Sequence, residues 1–231
     1  MHVNPEVTVE ILDEQPGTHW IDWPSWQDDC PCGSSRYVDR DRASHAHWHL
    51  NWAYGMPYPN ACPYLYESGL AMVTWSSALV CRRLAFHMAQ LFRREQHYDF
   101  AQLPPAGGWR QHYPNIQAYM PLWHGRAVGI AIVGRVTAWG WDRADEKGYI
   151  HFDQTESALA IAGIFVCGNY RRNGLGERLV REVARVNGQK PAHLAWSVPL
   201  TEGGRALANK FTQGENLRLC GGVPWESKPG I

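Results

Sequence analysis

The spacing of apolar and polar residues changes several times along this chain, and each change predicts an element. Residues 63–75 read as a hairpin turning at Glu67-Ser68-Gly69. From 76 to 96 the apolar positions Leu79, Leu84, Met88 and Leu91 recur at helical spacing, with Arg82, Arg83, Arg93 and Arg94 free to face solvent. Ser76 or Ser77 can cap that helix. A Pro- and Gly-rich loop follows at 103–108, then two strands over 115–141 joined at His124-Gly125-Arg126. After a polar stretch at 142–156, residues 158–166 are continuously apolar, as in a strand buried on both faces. Leu175, Leu179, Val183 and Val186 then mark one face of a helix over 174–187. A strand at 192–198, a short helix at 203–211 and a strand at 217–222 close the chain. Many antiparallel strands with a few helices predict an α+β domain, a mixed and mostly antiparallel sheet flanked by helices.

Composition divides the chain further. Residues 1–29 are acidic, Trp-rich and broken by Pro5, Pro16 and Pro24, which predicts an irregular arm. Residues 30–56 hold a Cys/His cluster, and 60–231 form the main domain. The 22 basic and 22 acidic residues balance, so bulk charge does not argue for nucleic-acid binding. Most of the twelve tryptophans are expected in the core, and an exposed subset could line a partner surface. No stretch approaches the roughly 20 apolar residues of a membrane span. The start shows no basic segment followed by an apolar run, so an intracellular, cytoplasmic protein is expected, with nucleoid or nuclear association left open. In such a compartment clustered cysteines suggest metal before disulfides.

Two motifs carry chemistry. The first is "YRRNGLG", Tyr170 to Gly176, between the apolar strand and the helix at 174–187. Backbone N–H groups at a helix start lack partners and, with the helix dipole, bind phosphate. Gly174 and Gly176 allow close backbone approach, and Arg171 and Arg172 add charge. The spacing fits neither a Walker loop nor a Rossmann loop. The second motif is "CPCGSSRYVDRDRASHAHWH". Cys30, Cys32, His45 and His49 make a two-thiolate, two-imidazole set suited to tetrahedral zinc, with His47 as an alternative ligand. His45 and His49 are four apart and share a helix face.

The strand–turn–helix resembles the acyl-CoA motif of the GNAT superfamily of N-acetyltransferases: Arg or Gln, any two residues, Gly, any residue, then Gly or Ala. Arg171-x-x-Gly174-x-Gly176 fits it, and "IFVCGNYRR" resembles the family's approach to the motif. The resemblance implies a GNAT fold, acetyl-CoA as cofactor, and pairing of Ile164, Phe165 and Val166 with the pantetheine arm. It further implies that Arg172, Asn173, Gly174, Leu175, Gly176 and Glu177 hold the pyrophosphate, and Asn209 on the closing helix is a further candidate contact. A Cys/His finger ahead of such a domain resembles the cohesin (sister-chromatid cohesion) acetyltransferases. Cys30-x-Cys32-Gly33, Tyr37, His45-x-x-x-His49 and Gly55 stand where their finger has its Cys pair, Tyr, His pair and Gly. "LAWSVPLTEGG" (194–204) and "RAVGIAIVGRV" (126–136) echo two further segments of theirs. This chain departs from them at Val198, where they have Asp, at Ala162, where they have Ser, and at Phe211, in place of a helix Tyr. The acceptor chemistry therefore does not carry over with the scaffold.

These readings predict direct acetyl transfer from acetyl-CoA to an amine, a protein lysine or another primary amine. A carboxylate must take the amine's proton, and the candidates are Glu202, Asp153 and Glu156. Ser197 is a candidate for polarising the leaving thiolate or binding substrate. Cys167 reads as a connector, since no activating base lies near it in sequence. The competing expectation is a GNAT-fold binding module without the usual catalysis, acting on nucleic acid or a nucleic-acid-associated partner through its Trp and Arg surfaces and its finger.

Overall fold

The computed structural model describes residues 50–59, 66, 68–95, 103, 116–137, 157–198, 200–212 and 217–220. Its centre is an eight-stranded mixed sheet: β1 (Met56–Pro57), β2 (Leu70–Val73), β3 (Gln117–Trp123), β4 (Arg126–Ala127), β5 (Gly129–Thr137), β6 (Ser157–Val166), β7 (Ala195–Ser197) and β8 (Leu219–Cys220). The spatial order is β1-β4-β3-β5-β6-β7-β8, with β2 added on β3. All pairs are antiparallel except β6–β7 and β7–β8, which are parallel. The helices are α1 (50–54), α2 (Leu79–Glu95), α3 (Leu175–Val186) and α4 (Glu202–Thr212). This is the expected α+β architecture, a mixed sheet flanked by helices.

The alternation of side chains along the strands builds two cores. Ala118, Met120, Ile130 and Ile132 join Leu84, Met88 and Leu91 of α2 on one face. Tyr119, Ala131 and Val133 join Leu179, Val180 and Val183 of α3, with Ala208 and Phe211 of α4, on the other. Burying side chains such as Leu179 and Val183 contributes roughly 1.5–3 kcal/mol each, so a charge at Val183 would detach α3. Gly188, at φ 64°, stops α3: its N–H bonds the Arg185 carbonyl at 3.1 Å and that of Gln189 the Ala184 carbonyl at 2.8 Å. This paired arrangement satisfies the last carbonyls of the helix.

β6 contains one extra residue. The register steps from Ile132↔Gly163 to Val133↔Ile161, leaving Ala162 as a bulge. Because side chains alternate, one extra residue reverses every face beyond it. Leu159 and Ile161 accordingly lie in the α3 core, while Phe165, also odd-numbered, lies in the α2 core.

The segment before β2 is locked onto the sheet. β1 pairs with β4, and the buried Arg126 donates to the carbonyls of Tyr54 and Gly55. Gly55 has φ 80°, and a Cβ there would stand 2.1 Å from the Ala127 carbonyl oxygen, so only glycine fits.

Several local expectations change. α2 starts at Leu79, with Ala78 supplying the first carbonyl, to the Arg82 N–H at 3.2 Å. The Ser77 hydroxyl instead accepts the Thr74 N–H at 3.0 Å, and that of Ser76 pairs with the Thr74 hydroxyl at 2.9 Å, so neither serine caps the helix. The two strands expected over 115–141 are three, because Val128 interrupts the second. The turn before β2 is present, with the Gly69 N–H on the Tyr66 carbonyl at 2.9 Å, but β2 pairs with β3. Of the other arm of the expected hairpin only Tyr66 is described, and its N–H bonds the Leu70 carbonyl across the turn at 2.9 Å. Cys81 is disulfide-bonded, whereas Cys167 and Cys220 are free and buried.

Candidate functional site

The sheet opens where β6 outlasts β7. The two pair only at Ala160↔Ala195 and Ile161↔Trp196. From the bulge onward β6 continues to Val166 with β5 as its sole ladder partner among the described strands. β7 meanwhile turns its other edge to β8 at Ser197↔Cys220. A bulge bends its strand, and this one sits where the two strands part. The resulting groove has a volume of about 600 Å³. Ile164, Phe165 and Val166 form one wall; Thr201, Leu207 and Lys210 form part of the other.

The end of the groove is the start of α3. After Val166 the chain makes a single turn of 3-10 helix, Gly168–Tyr170, and Arg171 is extended. Arg172 and Gly174 then take left-handed φ values of 60° and 74°. A left-handed arginine is a strained residue held by its surroundings. Gly174 precedes the first helical residue and offers no side-chain cap. The Arg178 N–H reaches the Gly174 carbonyl at 2.9 Å. The amides ahead of it belong to the unpaired first turn, and no side chain among the described residues takes them. A Cβ on Gly174 would meet nothing within 4 Å, and one on Gly176 would make ordinary contacts with Leu207 and Val166. The turn thus presents backbone donors to an open groove, an arrangement that suits an anion.

Of the two arginines, only Arg172 is exposed. The Arg171 guanidinium is held by the protein: it forms a two-pronged pair with Glu95, and its Nε donates to the Val166 carbonyl at 2.7 Å. Glu177, in the first turn of α3, pairs with Arg181 at 2.8 Å and lies 3.6 Å from Lys210. The hydrogen bond from Arg181 is the main reason its carboxyl sits below the usual carboxylate range. Cys167 is fully buried, and desolvation pushes its thiol up to about 12. It is therefore a thiol rather than a thiolate at neutral pH.

No protein-family model matches the chain, and no curated protein matches it. Solved structures do. The xEco2 acetyltransferase domain is 18% identical, with a TM-score of 0.49, over 73% of this chain and 99% of that one. An aminoglycoside acetyltransferase from an uncultured soil metagenomic sample is 14% identical, with a TM-score of 0.41, over 62% of this chain and 88% of that one. A ribosomal-protein-alanine N-acetyltransferase from Brucella melitensis biovar Abortus 2308 is 17% identical, with a TM-score of 0.37, over 61% and 88%.

The expected site residues are distributed unevenly. Ile164, Phe165, Val166, Arg171, Arg172, Gly174, Leu175, Gly176, Glu177 and Glu202 all border the groove, and Asn173 is exposed beside them. Glu202 is the exposed first residue of α4. Ser197 is half-buried at the end of β7. Asn209 is exposed on α4 but does not border the groove; its neighbour Lys210 does. Cys30, Cys32, His45, His47, His49, Asp153 and Glu156 lie outside the described residues. Among the described residues no group of three or more His, Cys, Asp or Glu could hold a metal ion. None of the described helices is long and apolar enough to cross a membrane. Sequence reasoning missed Phe92, Glu95, Thr201, Leu207 and Lys210 as groove residues. Thr201 had a signal: its hydroxyl accepts the Gly204 N–H at 3.0 Å, an N-cap that a Thr before "EGG" can supply. The others reach the groove only through tertiary packing.

Proposed function

We propose that this chain is an acetyl-CoA-dependent N-acetyltransferase of the GNAT superfamily. The observation that supports it is the opening between β6 and β7, where a strand edge with no partner among the described strands runs into a helix start without a side-chain cap. A matching ligand has an extended arm bearing amides, to complete the edge, and a pyrophosphate, to take the amides of the helix start. Coenzyme A has both, and the room around Gly174 and Gly176 fits its approach.

Bound acetyl-CoA would supply an activated acetyl group as a thioester. In this reading the backbone of Ile164 to Val166 holds the pantetheine arm. The amides from Arg172 to Glu177 hold the pyrophosphate, with the Arg172 side chain adding charge. Strand N–H groups beside the bulge stabilise negative charge developing on the carbonyl oxygen. Glu202, on the groove wall, takes the proton of the acceptor amine, and Ser197 orients the leaving sulfur. Asp153 and Glu156 remain alternative bases. The acceptor is a primary amine, on a protein lysine or a small molecule. The finer likeness to the cohesin acetyltransferases belongs to the same proposal, with zinc held by Cys30, Cys32, His45 and His49. Val198, Ala162 and Phe211 mark where its acceptor chemistry departs from theirs.

Isothermal titration with acetyl-CoA tests the reading. Saturable binding is expected, weakened at least tenfold by Gly174→Asp, which sets a carboxylate in open space where the phosphates would lie. Absence of binding by well-folded protein would sink it. Metal analysis should find one zinc per chain, lost in Cys30→Ser/Cys32→Ser.

A further inference from the structure

A carboxylate borders the groove where a polyanion is proposed to bind, and it is committed to the protein. Glu95 is the last residue of α2, its side chain 12% exposed. Arg171 donates to its two oxygens, at 2.9 Å to Oε1 and 2.5 Å to Oε2. The Trp52 indole N–H of α1 donates to Oε2 at 2.6 Å. The guanidinium lies 5.1 Å from the centre of the Trp52 ring and 5.4 Å from that of Phe165. Its Nε holds the Val166 carbonyl, the last of β6. Trp52 also packs on Gly168, where a Cβ would stand 2.6 Å from the ring. The Cys167 thiol meets the Asn51 carbonyl at 3.5 Å. Residues 167–171 are therefore gripped by α1 on one side and by the end of α2 on the other.

We propose that Glu95 is a positioning residue for the cofactor turn, acting through Arg171, with Trp52 completing the clasp. This rests on reading the groove as the acyl-CoA site. The residue after Arg171 holds φ 60°, which a non-glycine residue keeps only when its neighbours enforce it. Arg171 is fixed at its guanidinium by Glu95 and at its backbone N–H by the Gly168 carbonyl, 3.3 Å away. A two-pronged carboxylate–guanidinium pair sets both distance and plane. Fixing that plane orients the peptide groups from Arg172 to Gly174, and Arg172 and Gly174 border the groove. In consequence α1 is part of the cofactor site.

Charge and geometry predict opposite signs, which makes the proposal decidable. Glu95→Gln removes a negative charge from the groove wall. Electrostatics alone would then tighten binding of an anion such as CoA. Loss of the clasp weakens it. The expected result in calorimetry is at least fivefold weaker acetyl-CoA binding for Glu95→Gln and about twofold weaker for Trp52→Phe, which keeps the aromatic packing and loses the N–H. In the Arg171→Gln background, Glu95→Gln should add less than a further twofold, because Glu95 acts through Arg171. Hydrogen exchange of the Tyr170 and Arg171 amides, which bond the carbonyls of Cys167 and Gly168, should speed up at least tenfold in Glu95→Gln, while those of α3 beyond its first turn stay at wild-type rates. Unchanged or tighter binding by Glu95→Gln overturns the proposal, and so does wild-type exchange at the Tyr170 and Arg171 amides. If the wild-type protein does not bind acetyl-CoA, the functional reading falls and the exchange experiment alone decides whether Glu95 holds the turn.

Discussion

The two halves of β6 differ little in residue type and greatly in surroundings. Residues 157–161 run beside β5 and reach β7 at Ala160 and Ile161, and they bury Leu159 and Ile161 against α3 and α4. In residues 162–166, Gly163 to Val166 keep β5 and have no β7, and Ile164, Phe165 and Val166 border the groove. "SALAI" and "AGIFV" are both short apolar runs. What separates them is one extra residue, Ala162, and a neighbour that leaves. The proposed binding edge thus arises by withdrawing a partner from a regular strand, with no unusual side chain at the edge itself. The cost of an unpaired strand edge is then offset when a ligand completes it.

Deleting Ala162 should break the comparison most severely. With Ala162 removed, the pairs Val133↔Ile161 and Ile132↔Gly163 become consecutive, so both halves of β6 keep their faces and the strand loses the bend that opens the groove. A cooperative thermal transition is expected to survive, with acetyl-CoA binding weakened at least tenfold. A native-like melt with normal binding would mean that the bulge is incidental. Next in size is Ile161→Ala in the closed half, where the side chain is 2% exposed. It should lower stability to urea by about 2–5 kcal/mol. Acetyl-CoA affinity of the folded protein should stay within twofold. Ile164→Ala, half-buried in the open half, should do the reverse: a stability loss of about 1 kcal/mol with at least threefold weaker binding. Equal behaviour of the two variants would erase the distinction between the halves.

Gly174→Ala comes third. Its φ of 74° sets the cost at about 1–2 kcal/mol, because open space surrounds the added methyl group. Denaturation should show that loss together with weaker binding. The smallest effect concerns pH. Cys167, in the turn beyond the open half, and Cys220, on β8 beside the closed half, are both pushed up to about 12 by burial from an ordinary value of 9.0. A raised folded pKa means that the folded state keeps its proton longer. The stabilisation is therefore fully present below pH 9 and is lost as pH rises toward 12. By about pH 9.5 the loss should be under about 1 kcal/mol for each thiol. Melting temperatures followed from pH 8 upward check this, and rapid alkylation of either thiol in native protein at pH 8 would contradict it.

The elements that pattern revealed are those whose cause is local. α3 follows from apolar residues three and four apart, and both its ends carry glycines whose left-handed conformation suits them. β6 follows from an apolar run too short for a helix and too continuous for a strand exposed on one face. The start of α2 was misjudged because a serine before an apolar run can cap a helix or fold back. Here the Ser77 hydroxyl turned to the Thr74 amide and left the cap to Ala78. The break at Val128 had no composition signal, since valine suits an unbroken strand as well as an interrupted one. In the groove, the turn residues were visible as Arg171-x-x-Gly174-x-Gly176. Glu95 and Lys210 were not, because a Glu or Lys near the end of a helix is ordinarily a solvated charge.

The sequence alone determined the period of each element and the turn of two glycines at a helix start, on which the proposed anion cradle rests. Those properties depend on residues within a turn or two of one another. Only the tertiary structure decided that β6 bulges at Ala162, that β7 departs there, and that Glu95 meets an arginine 76 residues away. A strand's register and its free edges are set by pairing with segments distant in the chain. That energy depends on which faces the helices cover, and no local window of residues contains it.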